Sequence, residues 1–111
     1  MRKNKVKTFF GGIFIETSKL KEEGIEYPIK VEYYKLENEK EKTYGIEIIK
    51  KEYRSIGTKV EKEELKSLSK DECKIERMLE LFKKNEVTPI TAGEIAEDFF
   101  GKTLAKSVKL G

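Results

Sequence analysis

Two hydrophobic periods divide the chain. Through the first half, apolar residues fall at about every second position; from Ile75 onward they recur at three and four. A period of two marks a strand with one face in a core, and a period near 3.6 marks an amphipathic helix. Residues 6–16 are apolar at both parities, with Phe9, Ile13 and Ile15 on one and Val6, Phe10 and Phe14 on the other. This pattern predicts a buried strand, and Gly11-Gly12 in its middle predicts a bulge or bend. Residues 25–36 alternate cleanly: Ile29, Val31 and Tyr33 face one way, Lys30, Glu32 and Tyr34 the other, with Pro28 near the strand's start. A polar turn over 37–42 leads to a third strand from Thr43 to about Tyr53, in which Tyr44, Ile46 and Ile48 alternate. Strands two and three form an antiparallel hairpin. Gly57 and the Glu/Lys run at 61–64 read as a turn, with room for a short fourth strand near 56–60.

Ser69 with Glu72 has the spacing of a capping box. After it, Ile75, Met78, Leu79 and Phe82 make a helical stripe that ends near Asn85. Thr91 with Glu94 repeats the capping spacing, and Ile90 and Ile95 flank it like a hydrophobic staple. The second helix should turn Ile95, Phe99 and Ala96 inward and stop at Gly101. Strands first and helices last give an α+β fold: a three- to four-stranded antiparallel sheet with two C-terminal helices on one face. The 111 residues fit one domain, with residues 1–5 a basic, mobile start and 102–111 an unassigned tail.

Composition changes this picture mainly by exclusion. Charged residues are 41% of the chain, so the surface is densely ionic. The net charge of +3 is concentrated at the termini: Arg2, Lys3, Lys5 and Lys7 at one end, Lys102, Lys106 and Lys109 at the other. Histidine is absent, which removes the commonest general base at neutral pH and the commonest metal ligand. One cysteine, Cys73, rules out an intramolecular disulfide and fits a reducing cytoplasm. The longest apolar run, Phe9 to Ile15, is too short to cross a bilayer, so no membrane association is expected. No cofactor and no catalytic constellation is expected, and the chain reads as a non-enzyme.

Weaker signals dissolve in context. Cys73 lies in the first turn of the first helix, opposite its apolar stripe, and reads as a partly exposed thiol. Phe100-Gly101-Lys102-Thr103 ends like a phosphate loop, but Ala96 stands where that pattern needs glycine, and a helix precedes it. The two helices suggest helix-turn-helix DNA binding. Against it stand the expected length of the link from Asn85 to Thr91, the acids Glu94, Glu97 and Asp98 on the would-be recognition helix, and the lack there of any arginine, asparagine or glutamine to read bases. Nucleic acid is therefore disfavoured as a partner; weak binding through the basic termini is one alternative to a protein partner, and an unrecognised enzyme using glutamate, lysine or Cys73 chemistry is the other.

Five tyrosines, Tyr27, Tyr33, Tyr34, Tyr44 and Tyr53, crowd the hairpin. Tyr34, Leu36 and Tyr53 are the candidate partner-binding residues, on the outer face or exposed edge of that hairpin, where an added strand or a homodimer would form. The segments Tyr44 to Tyr53, Asn85 to Ile90 and Glu94 to Phe99 resemble an uncharacterised family of small clostridial proteins, classed as a domain of unknown function. That resemblance implies a small bacterial cytosolic protein and carries no site residues with it.

Overall fold

The computed structural model describes residues 5–15 and 27–99, and the backbone alone of Phe100. Four strands come first: β1 (Lys5–Ile15), β2 (Ile29–Asn38), β3 (Thr43–Tyr53) and β4 (Thr58–Ser69). Two helices follow, α1 (Glu72–Lys84) and α2 (Pro89–Phe100). The strands form one antiparallel meander in the order β1-β2-β3-β4. Both helices lie against the same face, which we call the inner face. Its core is built from Ile29, Val31 and Tyr33 of β2, Ile46 and Ile48 of β3, Leu65 and Leu68 of β4, and the α1 stripe Ile75, Met78, Leu79 and Phe82. The architecture is the expected α+β fold, with the full four strands.

The expected bulge falls at Phe10. Phe9 sits opposite Tyr34 and Gly11 opposite Tyr33, so β1 holds one residue more than β2 at this point. An extra residue exchanges the faces of everything beyond it. Phe10 thus joins Ile13 and Ile15 against the core, while Phe9 and Phe14 share the outer face. The reading of β1 as a buried strand is corrected accordingly. It is an edge strand with an apolar inner side, and Phe9 and Phe14 remain 56% and 58% exposed.

The fourth strand is also longer than expected. The Glu/Lys run at 61–64 is not a turn: Glu61, Lys62, Glu63 and Glu64 pair in register with Lys50, Ile49, Ile48 and Glu47. An edge strand open to water needs few apolar residues, and backbone pairing with β3 holds it in place. The β3–β4 turn lies at 54–57, where Gly57 takes φ +78 and Arg54 N donates to Gly57 O at 3.1 Å. Near its end β4 buckles. Tyr44 opposes Ser69 and Ile46 opposes Leu65, so one residue of β3 faces three of β4. Ser67 adopts φ +52 within this buckle, and Leu68 is delivered into the core at 1% exposure.

Both capping assignments shift. The N-cap of α1 is Asp71, whose carboxylate accepts from Cys73 N; Ser69 Oγ instead accepts from Asp71 N at 2.9 Å. α2 starts at Pro89, a favoured first helical residue because its missing N–H would have had no partner there. Thr91 therefore lies inside the first turn. The starting point rotates the buried side of α2: Ala92 and Ala96 are fully buried, while Ile95 and Phe99 are 37% and 39% exposed. The inward placement of Ile95 and Phe99 is thus corrected, that of Ala96 upheld. Asn85 ends α1, and Glu86 follows at φ +53. Val87 N reaches back to Phe82 O at 2.9 Å and Glu86 N to Lys83 O at 3.3 Å. These two bonds make a Schellman stop, with Val87 closing on the apolar stripe. The helix link is only residues 85–88, shorter than expected, so the argument against a helix-turn-helix now rests on the acids of α2 and on its lack of arginine, asparagine and glutamine. Gly101, the loop-like 101–103 segment, the tail and most of the basic N-terminal run lie outside the described residues.

Candidate interaction face

No described helix or loop covers the outer face of the sheet. Register places Lys5, Lys7, Phe9, Gly12 and Phe14 of β1 on it, then Lys30, Glu32, Tyr34, Leu36 and Asn38 of β2. From β3 come Gly45, Glu47, Ile49, Lys51 and Tyr53, and from β4 Thr58, Val60, Lys62 and Glu64. Aromatic and aliphatic groups run between the ions. The Phe9 ring meets Tyr34 edge-on, centroids 5.5 Å apart. Lys7 Nζ stands 4.8 Å from the centre of the Tyr34 ring.

Two carboxylates are sunk into this open face. Glu32 and Glu47 keep 8% and 6% of their surface, covered by neighbouring side chains rather than by another layer. Glu32 is approached by Lys30 Nζ at 3.4 Å, Lys51 Nζ at 3.5 Å and the Tyr34 hydroxyl at 3.2 Å. Burial pushes its pKa up, but those donors outweigh it and hold the carboxyl below its usual range. Lys7 Nζ lies 2.9 Å from Glu47 Oε1. That oxygen is shut off from water and has no well-aligned hydrogen bond, so its compensation is chiefly the ammonium's charge. The Glu47 carboxylate beside it raises the Lys7 pKa against the opposing effect of burial. The phenol of Tyr34 is raised too, by burial and then by Glu32. Because the carboxylates are recessed and Lys7 and Lys30 are 47% and 43% exposed, an incoming surface meets ammonium groups and phenyl rings first.

At the β2–β3 turn this face deepens into a cleft of about 360 Å³ between Lys5, Leu36, Glu41, Gly45, Lys66 and Ser67. The buckle of β4 forms its wall. Ser67 Oγ lies 3.2 Å from Thr43 Oγ1 and 3.3 Å from Glu41 Oε1, which ties the buckle to the turn.

All three expected residues lie on this face, but not together. Tyr34 and Leu36 are neighbours on β2, both half-buried, and Leu36 lines the cleft. Tyr53 sits six residues beyond the partner of Tyr34 on β3, about 20 Å away at strand rise. The hairpin they belong to is central in the sheet; the free edges are β1 and β4. The expectation of an exposed hairpin edge is corrected on that ground. Sequence reading missed Phe9, Phe14 and Lys7, since only the bulge reveals which face they share. Cys73 is exposed and free at the start of α1. Among the described residues, no three acidic or thiol groups converge as a metal site, and no helix is long and apolar enough to cross a membrane.

The molecule is thus an α+β protein of one open sheet, helix-covered on one side and, among the described residues, bare on the other. Residues 12–102 match the model of a family of unknown function, DUF6514, and the chain belongs to that family. The match begins within β1, so Lys5, Lys7 and Phe9 precede it. No curated protein and no solved structure matches the chain.

Proposed function

We infer that the chain is a non-catalytic protein-binding module that works through the outer face of its sheet, with Tyr34, Leu36 and Tyr53 set among Phe9, Phe14 and the face lysines. The observation that carries this reading is the exposure of Phe9 and Phe14, more than half open on a face no described element covers. Large apolar side chains ringed by charged groups are the composition of contact surfaces. The charged groups supply orientation, because the recessed glutamates hold the lysines in place before a partner arrives. A bacterial cytoplasm, where the single thiol stays reduced, is the setting this reading adopts.

A photo-crosslinking residue at Phe14, installed in the full chain in cells, tests it. A discrete protein adduct is expected, identified by mass spectrometry, and it should be lost on Phe9→Asp. The same crosslinker at Glu80, on the solvent side of α1, should give none. Equal adducts at 14 and 80, or an adduct at 80 alone, would refute the assignment of the face.

A further inference from the structure

The two edges of the sheet are unlike. β4 carries Lys59, Glu61, Lys62, Glu63, Glu64 and Lys66 and buckles at Ser67, and both charge and buckle blunt an edge against a further strand. β1 is uncharged from Thr8 to Ile15, and among the described residues its far side pairs with nothing. A long apolar edge of this kind is a template for strand addition.

We propose that the strand it takes is β1 of a second copy, antiparallel about a two-fold axis, giving a continuous eight-stranded sheet. This deepens the protein-binding reading and rests on it. In the proposed register Lys7 faces the second copy's Phe14, Thr8 its Ile13, Phe9 its Gly12, and Phe10 and Gly11 flank the axis.

The bulge selects this register. It puts odd-numbered residues before Phe10, and even-numbered residues after it, on the outer face. Antiparallel pairing across a two-fold axis joins the first half of one strand to the second half of the other. Only an odd-to-even pairing then keeps outer with outer and inner with inner. A one-residue slip would turn the core side of one copy toward the other's solvent side. Charge agrees with this arrangement. Lys5 and Lys7 occupy one end of β1, so antiparallel pairing carries the two basic ends apart and sets Lys7 beside a phenyl ring. The helices leave room: α1 lies mainly over β2 and β3, and the two β2 strands would be three strand spacings apart, about 14 Å, against the roughly 10 Å that packed helices need.

The first measurement is size-exclusion chromatography with light scattering on the full chain. A species of twice 12.9 kDa that dissociates on dilution is expected; a monomer at every concentration overturns the proposal. Register is read with two single-cysteine proteins in a Cys73→Ser background, Thr8→Cys and Ile13→Cys. Oxidation should cross-link their mixture and neither protein alone; cross-linking of Thr8→Cys alone at the same rate refutes the register. A charge pair tests the same contact without cysteines. Phe14→Lys opposes Lys7 of the second copy twice per dimer and should weaken it at least tenfold, whereas Phe14→Glu should hold it. Equal weakening by both overturns the pairing. Phe14 is an exposed side chain, so neither variant threatens the fold. The crosslinker at position 14 separates the two levels of inference. A foreign-protein adduct on a monomeric chain overturns self-pairing and leaves the binding face standing; no adduct of any kind sinks both.

Discussion

Tyr33→Phe removes one oxygen atom and tests how the helical layer is fixed to the sheet. Tyr33 is fully buried on the inner face of β2, its ring 6.5 Å from that of Phe82 in α1. Its hydroxyl donates to Val87 O at 2.7 Å, across 54 residues of sequence. Val87 belongs to the link between the helices, so this bond ties the sheet to both. A typical hydrogen bond contributes about 1 kcal/mol net, and leaving a buried carbonyl without a donor costs about 1–3 kcal/mol. Val87 is itself 5% exposed, so water does not replace the hydroxyl freely, and we expect a loss of about 2 kcal/mol. With a urea m-value of about 1.5 kcal/mol/M, the unfolding midpoint should fall by about 1.3 M while m stays constant. Tyr53→Phe, at the rim of the outer face, should change stability by less than about 0.5 kcal/mol. The same residue predicts a pH dependence. Burial, and then the charge of Glu86, raises the Tyr33 phenol far above its ordinary 10.0. Its contribution is therefore complete below pH 10 and lost as pH rises further, at up to about 1.36 kcal/mol per pH unit. Tyr33→Phe should flatten that alkaline decline. A loss below about 0.5 kcal/mol, or an alkaline slope equal to that of the parent, would refute the reasoning.

Glu86→Gly should stabilise the protein by up to about 1 kcal/mol in urea unfolding, because Glu86 closes α1 at φ +53, where glycine has no steric penalty; a destabilised variant would show that the Glu86 side chain matters more than its backbone. Gly45→Ala should cost about 2 kcal/mol or more, since its Cβ would stand 2.2 Å from the backbone oxygen of Leu65 and part the β3–β4 buckle; an unchanged melting temperature would contradict the register there. Glu47→Gln should return the raised Lys7 ammonium toward its ordinary 10.5, measured by NMR titration of Nζ. Since the Lys7 pKa is raised in the folded state, the pair's stabilisation is present below pH 10.5 and lost above it, and an unshifted Lys7 titration would refute the pairing.

How much of the fold was legible follows from what each element is held by. β2 and β3 are central and bury one face, so alternation at Ile29, Val31, Tyr33, Ile46 and Ile48 reported them directly. α1 rests its whole apolar stripe on the sheet, and Ile75, Met78, Leu79 and Phe82 reported it equally well. β4 is held by its backbone, with ionic side chains on both faces, and its middle therefore looked like a turn. α2 buries two alanines, which are weak hydrophobic signals, and its larger apolar residues sit toward solvent; the capping pattern then placed its start three residues late.

The face was half legible for a related reason. Alternation through β2 put Tyr34 and Leu36 outside without any knowledge of β1. The rest depended on one inserted residue. Reading β1 as regular assigns Phe9 to the side of Ile13 and Ile15 and yields a strand apolar on both sides, which means buried in a sheet interior. Inserting Phe10 reverses the first half, so Phe9 and Lys7 join Phe14, Tyr34 and Glu47 on one surface. The glycine pair signalled a bulge but not its position, and a shift of one residue there decides which side chains a partner meets. Gly11 lies on the inner side, where a Cβ would stand 3.3 Å from Cδ and Nζ of the flexible Lys83 side chain, and neighbouring Phe10 supplies the apolar contact to the core. The residue that the core takes inward at this point thus decides which side chains the outer side presents, through a single strand that belongs to both.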